Sequence, residues 1–124
     1  MTRRPRTLLL LAGVVLGLAL GACSKFRGEA DAKFGDQSFK TAISLIELYH
    51  VRHGGYPESL DQLDYVGDWD SISLSAVKYE RLPNGYALDL TRGWVGKPDL
   101  TYPPEFWKGL GIRRSNVGGL APTT

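Results

Sequence analysis

The segment Phe39 to Leu63, FKTAISLIELYHVRHGGYPESLDQL, decides the fold. Phe39, Ala42, Ile43, Ile46 and Tyr49 fall at i, i+3, i+4, i+7 and i+10, and Leu45 and Leu48 widen that stripe. This period places one apolar face on a helix running from about Gly35 to His53. Gly54-Gly55 ends it, because glycine adopts the left-handed C-cap conformation at little cost, and Pro57 prevents its resumption. Ser59 with Gln62 three residues on has the form of a capping box, opening one short turn from which Leu60 and Leu63 fold back on the main helix.

Downstream, Asp64 to Ser73 reads as a polar loop, followed by strand-like runs at Ala76 to Leu82 and Tyr86 to Thr91. Asn84-Gly85 between them is a strong hairpin signal. A two-residue turn there pairs Arg81 with Leu88, Tyr79 with Leu90 and Val77 with Arg92. Val77, Tyr79, Tyr86, Leu88 and Leu90 then share one face. That register sets Glu80 opposite Asp89, a like-charge pair that requires a solvated outer face. After Gly93, the aromatic residues Trp94, Tyr102, Phe106 and Trp107 are spaced by Gly96, Pro98, Pro103, Pro104 and Gly109, which predicts irregular structure with at most one more short strand. Residues 113–124 carry few large apolar groups and read as a flexible tail. The fold class is α+β: one long N-terminal amphipathic helix packed on a small antiparallel sheet.

Upstream, Arg3, Arg4 and Arg6 precede an apolar run from Leu8 to Leu20, and small residues Gly21 and Ala22 lead to the only cysteine, Cys23. This is the layout of a secretory signal, shorter in its apolar core than the roughly 20 residues of a membrane span. The uncharged stretch Thr7 to Ser24 leaves an uncleaved anchor as the other reading. Leu20-Gly21-Ala22-Cys23 resembles the lipobox of bacterial lipoproteins. The resemblance implies a diacylglyceryl thioether on Cys23, cleavage before it and N-acylation of the new terminus. Two or three acyl chains meet the requirement for durable anchoring to a lipid bilayer, which a single chain does not. Ser24 stands where an Asp resembles an inner-membrane retention signal, which points to the outer membrane. One cysteine leaves no intramolecular disulfide, so the exported part must be stable by packing alone.

The same helix and exit that decide the fold, Leu45-Ile46-Glu47-Leu48-Tyr49 followed by Gly55-Tyr56-Pro57 and Leu60, are similar to the globular heads of type II secretion pseudopilins. The match spans Phe39 to Leu63. The resemblance implies a pilin-like head in which the helix exit leads to an antiparallel sheet. The apolar segment here departs from that family: it contains no acid and ends in a lipobox, so it is expected to be removed rather than to form a filament core. Only Asp99 and Glu105 lie in the C-terminal loop, too few to carry over a calcium site. The expected organisation is a cleaved lipoprotein signal peptide at 1–22, a lipid anchor and tether at 23–34, a pseudopilin-like domain at 35–112 and the tail. Ser24 to Lys33 fits either a tether or the exposed first turns of the helix.

Composition excludes several functions. The chain has 124 residues, 15 Lys+Arg and 13 Asp+Glu, and without residues 1–22 it keeps 12 basic against 13 acidic groups. No concentrated basic face remains for nucleic acid. Glu47, His50 and His53 share a helical face but offer fewer ligands than a metal site wants. Asp64, Asp68 and Asp70 lack the glycine and glutamate of a calcium loop, with Ser73 and Tyr79 at those positions. The chain shows no nucleophile elbow or phosphate loop, so no enzyme, metal or cofactor is expected beyond the acyl groups on Cys23, and no small-molecule substrate. Trp94, Tyr102, Phe106 and Trp107 are the candidate interaction surface, since aromatics dominate interface hot spots. The expected function is that of a membrane-anchored envelope lipoprotein, facing the periplasm and binding a protein partner of a secretion or pilus system. The alternative is a cell-wall or glycan-binding module that uses the C-terminal aromatics.

Overall fold

The computed structural model describes residues 5–65 and 67–122. One helix, α1, spans Pro5–His53. It is followed by a short 3-10 turn at Leu60–Gln62, helix α2 at Asp68–Ser75, strands β1 (Val77–Leu82) and β2 (Gly85–Leu90), a 3-10 turn at Pro104–Trp107 and strand β3 (Ile112–Arg114). The architecture is α+β, a long helix on a three-stranded mixed sheet of order β1-β2-β3. Among the described residues no helix is long and apolar enough to cross a membrane.

The inward face of α1 follows the 3.6-residue period. Phe39, Ala42 and Ile46 are fully buried and Ile43 nearly so, against Tyr86, Leu88 and Leu90 of the central strand. Burying each large side chain here contributes roughly 1.5–3 kcal/mol. Helix α1 stops at Gly54, which takes φ +78° and whose N–H donates to the His50 carbonyl at 2.9 Å. Pro57 is buried behind the exit. The capping box forms by half. The Gln62 side chain accepts from the Glu58 N–H at 2.7 Å, whereas Ser59 makes no side-chain cap.

The hairpin keeps the expected faces but not the expected register. Arg81 pairs with Tyr86, Tyr79 with Leu88 and Val77 with Leu90, so the turn residues are Pro83-Asn84, one position earlier than read. A turn at Asn84-Gly85 would set Pro83 opposite Tyr86 in the ladder, where its missing N–H has no use. At the second position of the turn its fixed φ is an advantage. The shift of two in pairing preserves which side chains point inward, and it removes the like-charge pair: Lys78 now faces Asp89 and Glu80 faces Ala87. Arg114 on β3 reaches Glu80 at 2.8 Å, so this ion pair spans both edge strands across Ala87, which is buried on the outer face.

Three expectations are corrected. The sheet is mixed rather than antiparallel, because the crossover from Leu90 to Ile112 returns β3 parallel to β2. The segment Asp64 to Ser73 is not all loop, since α2 begins at Asp68 and packs on α1. Nor is the segment after Ile112 a flexible tail, and of the two readings of Ser24 to Lys33 the structure has the helical one. Residues 23–34 are helical and Asp31 grips the loop at 94–96, while beyond Arg114 the chain stays in the fold. The Asn116 amide pairs with both the N–H and the carbonyl of Leu90 at 2.8 Å, in the manner of another strand residue. Val117 is buried in the core, and Gly118 bridges to Thr101.

Removing the Ile46 side chain beyond Cβ should destabilise the protein by about 2–5 kcal/mol, and Val51→Ala, at an exposed position of the same helix, by no more than about 0.5 kcal/mol. Denaturant unfolding of the two variants checks the helix face; equal midpoints would place the core elsewhere.

Candidate functional site

Cys23 is exposed on α1 with a free thiol. Three residues on, Phe26 meets the Trp94 ring edge to face, with centroids 5.9 Å apart. Ala22, Cys23, Phe26, Arg27 and Trp94 line an open groove of about 510 Å³. A second groove of about 270 Å³ uses Trp94 as its near wall and is lined further by Phe34, Trp69, Ile72 and Arg92.

Loop 93–96 is held against the helix by one carboxylate. Asp31 Oδ1 accepts the backbone N–H groups of Trp94, Val95 and Gly96 at 2.9, 2.7 and 3.0 Å. Those bonds, the Val95 N–H foremost, hold the Asp31 carboxyl below its ordinary range. The loop backbone comes so close that a side chain on Gly93 would collide with the Asp31 carbonyl. Five residues along, Asp36 accepts the Tyr102 hydroxyl at 2.6 Å and pairs with Lys40. Burial acts to raise the Asp36 pKa, but these two bonds outweigh it and hold it low.

Glu47 is the third and most engaged of these carboxylates. Its Oε1 accepts the Tyr86 hydroxyl at 2.9 Å and the Gly111 N–H at 2.8 Å, and the Tyr56 hydroxyl lies 3.2 and 3.0 Å from its two oxygens. Gly111 has no room for a side chain, because a Cβ there would strike the Tyr56 ring. Burial, with the Glu47 charge beside it, pushes the Tyr56 phenol up to about 12; Tyr86 moves further in the same direction for the same reasons. Burial also takes Tyr79 to about 12, and its hydroxyl donates to the Pro57 carbonyl at 2.5 Å.

Of the four aromatic residues expected to form an interaction surface, Tyr102, Phe106 and Trp107 cluster together and Trp94 stands apart beside Phe26. Trp107 is buried and packs edge to face with Phe39 at 6.1 Å. Tyr102 stacks on Phe39 at 6.0 Å and on Phe106 at 4.1 Å, both half-buried at the edge of the core. Only Trp94 is open to solvent, at 46% exposure, and the indole that shares its groove is Trp69, at 74%. Core demand explains the difference, since a chain of this size has few other large groups with which to close its lower end. Trp69 lies in the polar stretch Asp64 to Ser73, where its i+3 spacing to Ile72 is the one sequence signal of a shared helical face.

The Glu47, His50 and His53 trio is spread over separate tasks. His50 stacks on Tyr56 at 4.3 Å and His53 packs tilted against Tyr49 at 4.2 Å, while Glu47 points at hydroxyl and amide donors. Its structural role was legible in principle. Glu47 follows Ile43 by four residues, which places a carboxylate on the apolar face, where a charge needs partners.

Glu47→Gln keeps an acceptor but loses the charge, and should cost about 2 kcal/mol, against about 1 kcal/mol for Tyr86→Phe. The raised phenols give stability that is complete below the unfolded tyrosine pKa of 10.0 and declines as the pH climbs towards about 12, because the unfolded chain releases those protons first. Thermal melts from pH 8 upward check the sign. A Tyr56→Phe variant should show a shallower decline, and an identical one would remove Tyr56 from the account. Comparison of the chain with protein-family models, with curated proteins and with solved structures finds no match.

Proposed function

We propose that the chain is a bacterial envelope lipoprotein, acylated on Cys23, whose head binds a protein partner in the periplasm. The observation that carries this reading is the continuity of α1: the helix that bears the exposed Cys23 thiol is the one whose Phe39 to Ile46 face forms the core. A lipid on that sulfur would hold the head by its spine rather than by a loose thread. The lipobox-like Leu20-Gly21-Ala22 before Cys23 supports processing there, with Gly21 a weak point at which a helix opens for a protease. Ser24 supports delivery to the outer membrane.

For the partner surface, the far end of the same helix offers Val51 and Leu48, exposed one turn apart and about 40 Å along the axis from Cys23. Exposed aliphatic residues in register at a helix end suit a protein contact better than a sugar. Secretion or pilus assembly components are the first candidates, on the strength of the pseudopilin-like helix exit.

Two measurements test the reading. Cys23→Ser should leave an unacylated precursor in fractionated cells, and a lipid-modified mutant would contradict the assignment. In-cell crosslinking of the tagged protein should capture the same envelope proteins from the parent and lose them in Val51→Asp. Capture unaffected by that change would move the partner surface away from this helix end.

A further inference from the structure

A strip of exposed apolar side chains centres on Trp94. It runs from the Cys23 groove through Phe26 and Trp94 to Phe34, Trp69 and Ile72, and the two grooves adjoin at Trp94, which lines both. Each has a single charged lining residue, Arg27 in one and Arg92 in the other, and no acid lines either. The nearest clamp carboxylate, Asp31, is occupied by three backbone N–H groups.

We infer that this strip is a lipid-facing surface, so that the acylated protein leans its head on the bilayer with Trp94 and Trp69 in the headgroup region. The inference rests on the proposed acylation of Cys23. Given that anchor, the geometry allows little else near the sulfur. The helix is unbroken from Cys23 to the core, and Asp31 clamps the Trp94 loop to it only eight residues along, about 12 Å of helix. Trp94, touching Phe26, therefore lies within about one helical turn of the acyl chains. The second groove extends the same face to Phe34, about 16 Å along the axis, which a helix standing upright would lift clear of the membrane. A tilted helix lays the whole strip down at once. Tryptophan favours this zone because its ring is apolar while its N–H is polar, and arginine beside it meets anionic headgroups.

The test uses the full-length protein extracted from membranes and reconstituted in vesicles of phosphatidylethanolamine and phosphatidylglycerol, with or without bromine on the acyl chains. Bromine quenches only indoles that touch lipid. The expected result is loss of emission from the parent protein in brominated vesicles, less loss in either Trp69→Phe or Trp94→Phe, and none in the double variant, where the buried Trp107 alone emits. Protein that floats with the vesicles yet is not quenched would overturn the inference and leave the anchor standing. Blue-shifted emission without quenching would overturn it in favour of a second copy or another protein on this face. Protein shown by its mass to lack acyl chains would overturn the anchor and the inference together.

Discussion

The Glu47 carboxylate is the fixed point of the structure. It accepts the Tyr56 hydroxyl from the segment that leaves the helix, the Tyr86 hydroxyl from the central strand and the Gly111 N–H from the turn before β3. Three segments far apart in sequence are thus positioned relative to one helix by one charged group. A half-buried carboxylate is costly unless its lone pairs are used, and here both oxygens are engaged. Its partners are shaped for it. Gly111 is bare so that Tyr56 can approach, and Tyr56 lies between the His50 imidazole and the Tyr86 ring.

Asp31 and Asp36 repeat the device lower on the same helix. Each takes donors from the irregular stretch between β2 and β3, which has few ladder bonds of its own. The long crossover is therefore ordered chiefly from the helix side, through three carboxylates at 31, 36 and 47 and an aromatic stack on Phe39. This explains how a domain with a three-residue third strand keeps a defined C-terminal half. The carboxylates also link fold to placement: the clamp nearest Cys23 is the one that fixes Trp94 beside it.

Much of this was legible in the sequence. The stripe from Phe39 to Tyr49, the glycine stop and the inward face of the hairpin follow from period and turn chemistry, because local preference and core burial agree there. The register was displaced by two because Asn84-Gly85 is a strong turn signal in isolation, and the competing demand of Pro83 for a turn position outweighed it. Helix α2 was hidden by its polar composition: in eight residues, packing on α1 rather than a long apolar stripe sustains it. The last segment reads as a tail because it has few large side chains, yet the Asn116 amide, the buried Val117 and the Gly118 bridge to Thr101 hold it in the fold. Sequence counts aromatic residues without showing which of them the core consumes, and here the core takes Trp107 and leaves Trp94 exposed. The carboxylate clamps were missed for a related reason, as acidic residues on a helix ordinarily read as solvated.

The proposal is one of address and posture: acylation of Cys23 would anchor the head through the helix that forms its core, with the apolar strip at the membrane and the Leu48 and Val51 face turned to a partner. All of it depends on the chemistry at Cys23. The most direct measurement is the intact mass of the wild-type protein extracted from the membranes of its native bacterium. The account requires a polypeptide beginning at Cys23 and carrying the mass of a diacylglycerol, with or without a further acyl chain. A mass equal to the bare chain, whether begun at Met1 or cut elsewhere, would contradict it.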